Sequence, residues 1–163
     1  MKKIWIGILI LICVSFAGCG NAHKQEGQKT CTLMVECRNA VEKDSLRKDL
    51  KEFLPTDGVI LKEKKVSFQS GESVYKVLER TMKEEGILME ASFTGDIAYI
   101  EGIDNLYEFE CGDLSGWMYC VNGKYPNVGC SSYTVKEGDV IEWHYTCDLG
   151  KDLGQEYKKQ GEE

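Results

Sequence analysis

Three short runs in which apolar and polar residues alternate constrain this chain more than any other feature. Cys31, Leu33, Val35 and Cys37 share one side of the first run, and Trp117, Tyr119 and Val121 one side of the second. Ile141, Trp143, Tyr145 and Cys147 share one side of the third. Successive side chains of a strand point to opposite faces, so each run reads as a strand with one buried and one wet face. Strands of this kind build a sheet that needs a partner on its apolar side. A helix supplies it. Val74, Val77, Leu78, Thr81 and Met82 recur at helical spacing, Ser70-Gly71-Glu72-Ser73 opens the segment, and Gly86 can end it. Val59-Ile60-Leu61, Val66-Ser67-Phe68, Leu88 to Phe93 and Ile97 to Ile100 read as further strands, and Leu46, Leu50 and Phe53 as the face of a short helix. Pro55-Thr56-Asp57-Gly58, Asn122-Gly123 and Glu137-Gly138-Asp139 are turns. The charged runs Lys62-Glu63-Lys64-Lys65 and Lys83-Glu84-Glu85 read as solvated faces. The expected fold class is α+β: a mostly antiparallel sheet with one principal packed helix, β-grasp-like.

The chain begins with Lys2 and Lys3, followed by an apolar run from Ile4 to Val14. That run is shorter than the ~20 residues needed to span a bilayer and has the length of a signal-peptide core. Phe16-Ala17-Gly18-Cys19 follows and resembles a bacterial lipobox. The resemblance implies lipid on the Cys19 thiol and cleavage before it. The expected organisation is a lipoprotein signal peptide over 1–18, a lipidated cysteine and polar tether over 19–30, a folded domain over 31–150, and a polar tail over 151–163 that frays from Asp148 onward. The expected location is extracytoplasmic, on the outer face of the cytoplasmic membrane, with two or three acyl chains holding the protein there.

Removing the leader takes two of the 20 basic residues and none of the 27 acidic ones, leaving a net charge of −9. With no basic patch, nucleic acid is an unsuitable partner. Cys31, Cys37, Cys111, Cys120, Cys130 and Cys147 remain, an even number in an oxidising compartment, which favours disulfides. A Cys31–Cys37 bond does not fit an extended strand, because six residues span roughly 20 Å and a disulfide needs Cα atoms about 5.5 Å apart. Cys111 with Cys130 is the preferred pair, since both flank the Trp117 hairpin. Cys147 with Cys31 or Cys37 is next, since those strands turn their sulfurs to the core. Cys120 faces away from Trp117 and Tyr119, either as the sulfur without an intramolecular partner or as a cobalt ligand. No pair has zinc-finger spacing, and His144 stands without a recognisable second ligand, so no metal site is expected. His23 lies in the tether.

The stretch from Ser115 to Tyr133, continuing through Val135-Lys136-Glu137-Gly138-Asp139-Val140-Ile141-Glu142-Trp143, is distinctive. Together with Gly71-Glu72-Ser73-Val74-Tyr75-Lys76-Val77-Leu78 it resembles the transcobalamin-like C-terminal domain family, over roughly residues 31–150. In the animal cobalamin carriers this domain covers one face of a corrin ring and an α/α-barrel holds the other. The resemblance therefore implies cobalamin or another corrinoid as ligand, with no cofactor required. A membrane importer or second binding domain would supply the other half of the site. The segment matching the carriers' ligand-facing loop is Tyr125-Pro126-Asn127-Val128-Gly129. Tyr125 would stack on the ligand, Asn127 would bond a side-chain amide, Val128 is a further ligand candidate of the loop, and Trp117 and Tyr119 would flank the loop or pack in the core.

No catalytic residues are recognised: the chain has no G-x-S-x-G elbow, H-E-x-x-H helix or phosphate loop. The leading expectation is an extracytoplasmic lipoprotein that binds a small ligand and delivers it to an importer. The alternative is a structural or adhesive surface module for protein or glycan; fold alone does not choose between them.

Overall fold

The computed structural model describes residues 28–43 and 46–155. The leader, Cys19 and nearly all of the tether lie outside the described residues. Among the described residues, two sheets and three α-helices make up the fold. The four-stranded sheet has the order β2-β1-β7-β6, from β1 (Lys29–Glu36), β2 (Val59–Phe68), β6 (Gly116–Val121) and β7 (Val140–Thr146). β1 is antiparallel to β2 and parallel to β7, and β7 is antiparallel to β6. The first and last strands thus lie side by side at the centre, as a β-grasp requires. The buried faces read in the sequence hold for Cys31, Leu33, Val35, Trp117, Tyr119, Val121, Ile141, Trp143 and Tyr145. Cys147, however, lies past the end of β7 and is only partly buried, and Cys120, on the expected wet face, is buried.

β2 is one continuous strand where the sequence suggested two. Lys62 to Lys65 runs exposed through its middle, with irregular register against β1 between Leu33 and Glu36. β2 is an edge, and lysines there discourage pairing with another chain. A single sheet was expected; β3 (Met89–Thr94), β4 (Ile97–Ile103) and β5 (Leu106–Tyr107) instead form a second, three-stranded sheet. Tight turns at Gly95 and at Asp104-Asn105, all with positive φ, fold this segment onto itself before it can join the first sheet.

α3 (Val74–Glu85) matches its sequence signals. The Ser73 hydroxyl accepts from the Lys76 N–H, and Gly86 ends the helix in the left-handed region. Two further N–H groups of its first turn, on Val74 and Tyr75, donate to the carbonyls of Tyr133 and Cys130. The helix start therefore fixes the loop that follows β6 and Asn122-Gly123. The short α1 (Arg38–Glu42) buries Ala40, and Leu46 and Leu54, which flank α2 (Lys48–Lys51), are buried in the core. Phe53 is 74% exposed, contrary to the expected helical face, because α2 ends before Phe53 and the stripe breaks there.

Asp148 to Gln155, expected to fray, are ordered, and the rest of the expected tail lies outside the described residues. Residues 148–155 form a turn with a 3-10 helix at Lys151–Leu153. Asp152 anchors it, accepting from the Thr146 hydroxyl, from the Cys147 N–H at 2.7 Å and from Asn39 Nδ2 at 3.1 Å.

Candidate functional site

Among the described strands, β6 neighbours β7 alone in its sheet. Its other edge faces β4 and the loop 125–130, and between them lies a cavity of about 290 Å³. Trp117, Tyr119, Tyr125, Asn127 and Trp143 are among the residues that line it. The structure thus brings together four of the five ligand residues expected from the sequence. The fifth, Val128, does not line the cavity; its side chain is exposed and its carbonyl accepts from the Tyr119 hydroxyl at 2.7 Å. Val128 holds the loop against Tyr119 through its backbone.

Local chemistry fixes the walls. Asn122 and Gly123 both have positive φ, so β6 ends in the tight turn expected there, and the chain then departs into the loop. Ser131 Oγ accepts from the Ala98 N–H at 3.1 Å, and the Cys130 thiol points to the Ala98 carbonyl at 3.7 Å, so the end of the loop is stitched to β4. Tyr119 packs on Trp143 with ring centroids 5.4 Å apart, and Trp117 meets Tyr145 edge-on at 5.3 Å. Tyr99, in the cavity wall, is exposed, as are Ile97 on β4 and Val128 in the loop. Burial pushes the Tyr119 phenol up to about 12, so it stays a neutral hydrogen-bonding group.

One polar atom in this wall is unmatched. Trp143 is 2% exposed, and its indole N–H is the buried side-chain polar atom that makes no hydrogen bond among the described residues. The Trp117 indole, by contrast, donates to the Leu106 carbonyl at 2.9 Å.

The cysteines depart from the expected pairings. No disulfide occurs among the described residues. Cys130 faces Ala98, while Cys111 shares a hydrogen bond with Cys147, which with burial raises the Cys147 thiol. The Cys111–Cys130 pairing is therefore corrected, because Cys130 is committed to the loop that caps α3. His144 was expected to be solvated and alone. Its side chain is only 13% exposed, with Nδ1 2.9 Å from Glu36 Oε1. On its other side lie Cys120 and Glu142. β1 pairs with β7 and sets Glu36 opposite His144. Cys120 and Glu142 were each visible in the sequence, and the Glu142-x-His144 spacing was a usable signal, but strand partners were not.

The description of a domain of unknown function, DUF4430, matches residues 71–147, from just before α3 to just after β7. No curated protein matches the chain. Among solved structures, haptocorrin in complex with Cbi is similar at 20% identity and a TM-score of 0.49, over 75% of this chain and 26% of that one. This chain thus spans about a quarter of haptocorrin's length. A candidate metal binding protein from Ruminococcus gnavus ATCC 29149 is similar at 14% identity and a TM-score of 0.44, over 73% of this chain and 97% of that one. None of these brings an assigned activity to this chain.

Proposed function

We propose that the protein binds a small ligand beside β6, one that lays a flat apolar face on Tyr119 and Tyr125 and offers a hydrogen-bond acceptor to the Asn127 amide. The aromatic-walled cavity carries this reading. The cavity is at the low end of the roughly 300–1,000 Å³ of small-molecule sites, so it takes one edge of a larger ring system. A corrinoid fits this description: it is flat, and its rim amides are acceptors. The resemblance of the Ser115–Trp143 stretch supports that ligand class. The remainder of such a ligand would be covered by a second binding domain or an importer. The lipobox at Cys19 supports placing the protein on the outer face of the cytoplasmic membrane.

The test is a titration of the purified full chain with hydroxocobalamin and with cobinamide, followed by tryptophan fluorescence and by calorimetry. Saturable binding in the micromolar range or tighter is expected, weakened about tenfold or more by Tyr125→Ala or Asn127→Ala. No saturable heat with either compound, or binding indifferent to both substitutions, overturns the corrinoid reading.

A further inference from the structure

The opposite, outward face of the same sheet carries a second constellation. Cys120 on β6 stands directly across from Glu142 on β7, and His144 is two residues further along β7 on the same face. One donor atom from each lies within 4.8 Å of the other two. Cys120 Sγ is 3.2 Å from Glu142 Oε2 and 3.7 Å from His144 Nε2. In a tetrahedral zinc site, with Zn–S about 2.3 Å and Zn–N or Zn–O about 2.0–2.2 Å, ligand atoms lie about 3.5 Å apart. The two measured separations bracket that value. We propose that Cys120, Glu142 and His144 form a binding site for one divalent zinc-class cation, with Glu36 orienting the histidine.

The surroundings fit. A carboxylate on the far nitrogen is the usual support of a metal-bound histidine. When His144 Nδ1–H donates to Glu36, Nε2 is left with its lone pair toward Cys120 and Glu142. Arg38 pairs with the other oxygen of Glu36, so that carboxylate is already compensated. A thiolate, a carboxylate and a neutral imidazole carry two negative charges, matching a dication. The mixed sulfur, nitrogen and oxygen set favours zinc-class ions over calcium or magnesium, which take oxygen ligands. Antiparallel neighbours hold the three donors on one rigid surface, which a site on loops would lack. Three protein donors leave a fourth position open, and the Tyr125 ring stands 6.1 Å from that of His144.

A thiol-nucleophile reading of the same residues is less suited. Cys120 is buried, and desolvation with the Glu142 carboxylate pushes its thiol up to about 12, whereas reactive cysteines are exposed and lowered. A bound cation reverses that balance by deprotonating the thiol it ligates.

The test uses the untagged full chain in mild detergent, reduced, stripped with chelator and titrated with Co²⁺ and then Zn²⁺. One equivalent of Co²⁺ is expected to raise a thiolate-to-cobalt absorption band that one equivalent of Zn²⁺ displaces. Cys120→Ser should abolish the band, and Glu36→Gln should weaken Co²⁺ binding about 10–100-fold with the circular dichroism unchanged. X-ray absorption on the zinc-loaded wild type, which needs no substitution, should show one sulfur with nitrogen and oxygen neighbours. Absence of the band at one equivalent, its survival in Cys120→Ser, its loss in Cys111→Ser, or two or more sulfurs around zinc overturns the proposal.

Discussion

Gly58 ends the Pro55–Gly58 turn at a φ of +67°, and a Cβ built there would lie 2.6 Å from the Arg38 Cα. Left-handed backbone and a backbone neighbour act together, so no side chain can be fitted by a rotamer change. Gly58→Ala is expected to destabilise the protein by about 1–3 kcal/mol, read as a lower urea midpoint with an unchanged slope. A midpoint within error of the wild type would contradict this. The turn itself was legible, because Pro, Asp and Gly each have a turn-specific role. The collision with Arg38 was not, because it depends on the Gly58 carbonyl accepting from the Cys37 N–H at 2.7 Å, a contact between two segments. The same contrast holds at Tyr119. Its inward direction followed from alternation, but its bond to the Val128 carbonyl needed the loop to fold back.

Among the elements, α3 was the most legible. Its stripe, N-cap and C-cap are all local, and each agrees with the others. The segment after β7 was the least legible, because its polar composition resembles a tail. Asp152 reverses that reading. Burial raises its pKa, but hydrogen bonds from the Thr146 hydroxyl, the Cys147 N–H, its own backbone N–H and Asn39 outweigh burial and hold the carboxyl below its ordinary 3.8. A carboxyl lowered in the folded state binds fewer protons there than in the unfolded chain. Its stabilising contribution is therefore present above the unfolded value and lost as pH falls through the folded one. Thermal melts of the wild type should show acid loss beginning near and below pH 3.8, the value without such partners, and Asp152→Asn should be less stable at neutral pH with a shallower acid loss. Parallel pH profiles for the two proteins would contradict this. The C-terminal turn also covers part of the sheet's outward face, for a Cβ on Gly150 would stand 3.0 Å from the Met118 sulfur.

For the molecule as a whole, the decisive feature is the parallel pairing of β1 with β7. Thr32 lies opposite Val140 and Glu36 opposite His144. Cys31 thus sits where β7 begins, and Cys147 past where it ends. At about 3.3 Å per residue, the eight residue steps from the level of Cys31 to Cys147 amount to about 26 Å, far beyond the reach of a disulfide. Cys111 and Cys147 are brought into hydrogen-bond contact. Mild oxidation with diamide is expected to link Cys111 to Cys147 ahead of other pairs, read by mass spectrometry of unreduced tryptic peptides. A Cys111–Cys130 peptide as the main product would contradict this.

Alternation, helical spacing, caps and turn residues act within a few neighbours along the chain, and they sufficed for the α+β class, most of the buried faces of the three strands and α3, whereas the cavity residues were named through the family resemblance. The second sheet, the Cys111–Cys147 contact and the grouping of Cys120, Glu142 and His144 with Glu36 arose only on folding. Glu36 and His144 are 108 residues apart and meet through strand pairing, which spacing in the sequence does not specify. Which face a side chain takes is a local matter of backbone geometry. What it meets on that face is decided by the order in which strands are laid side by side.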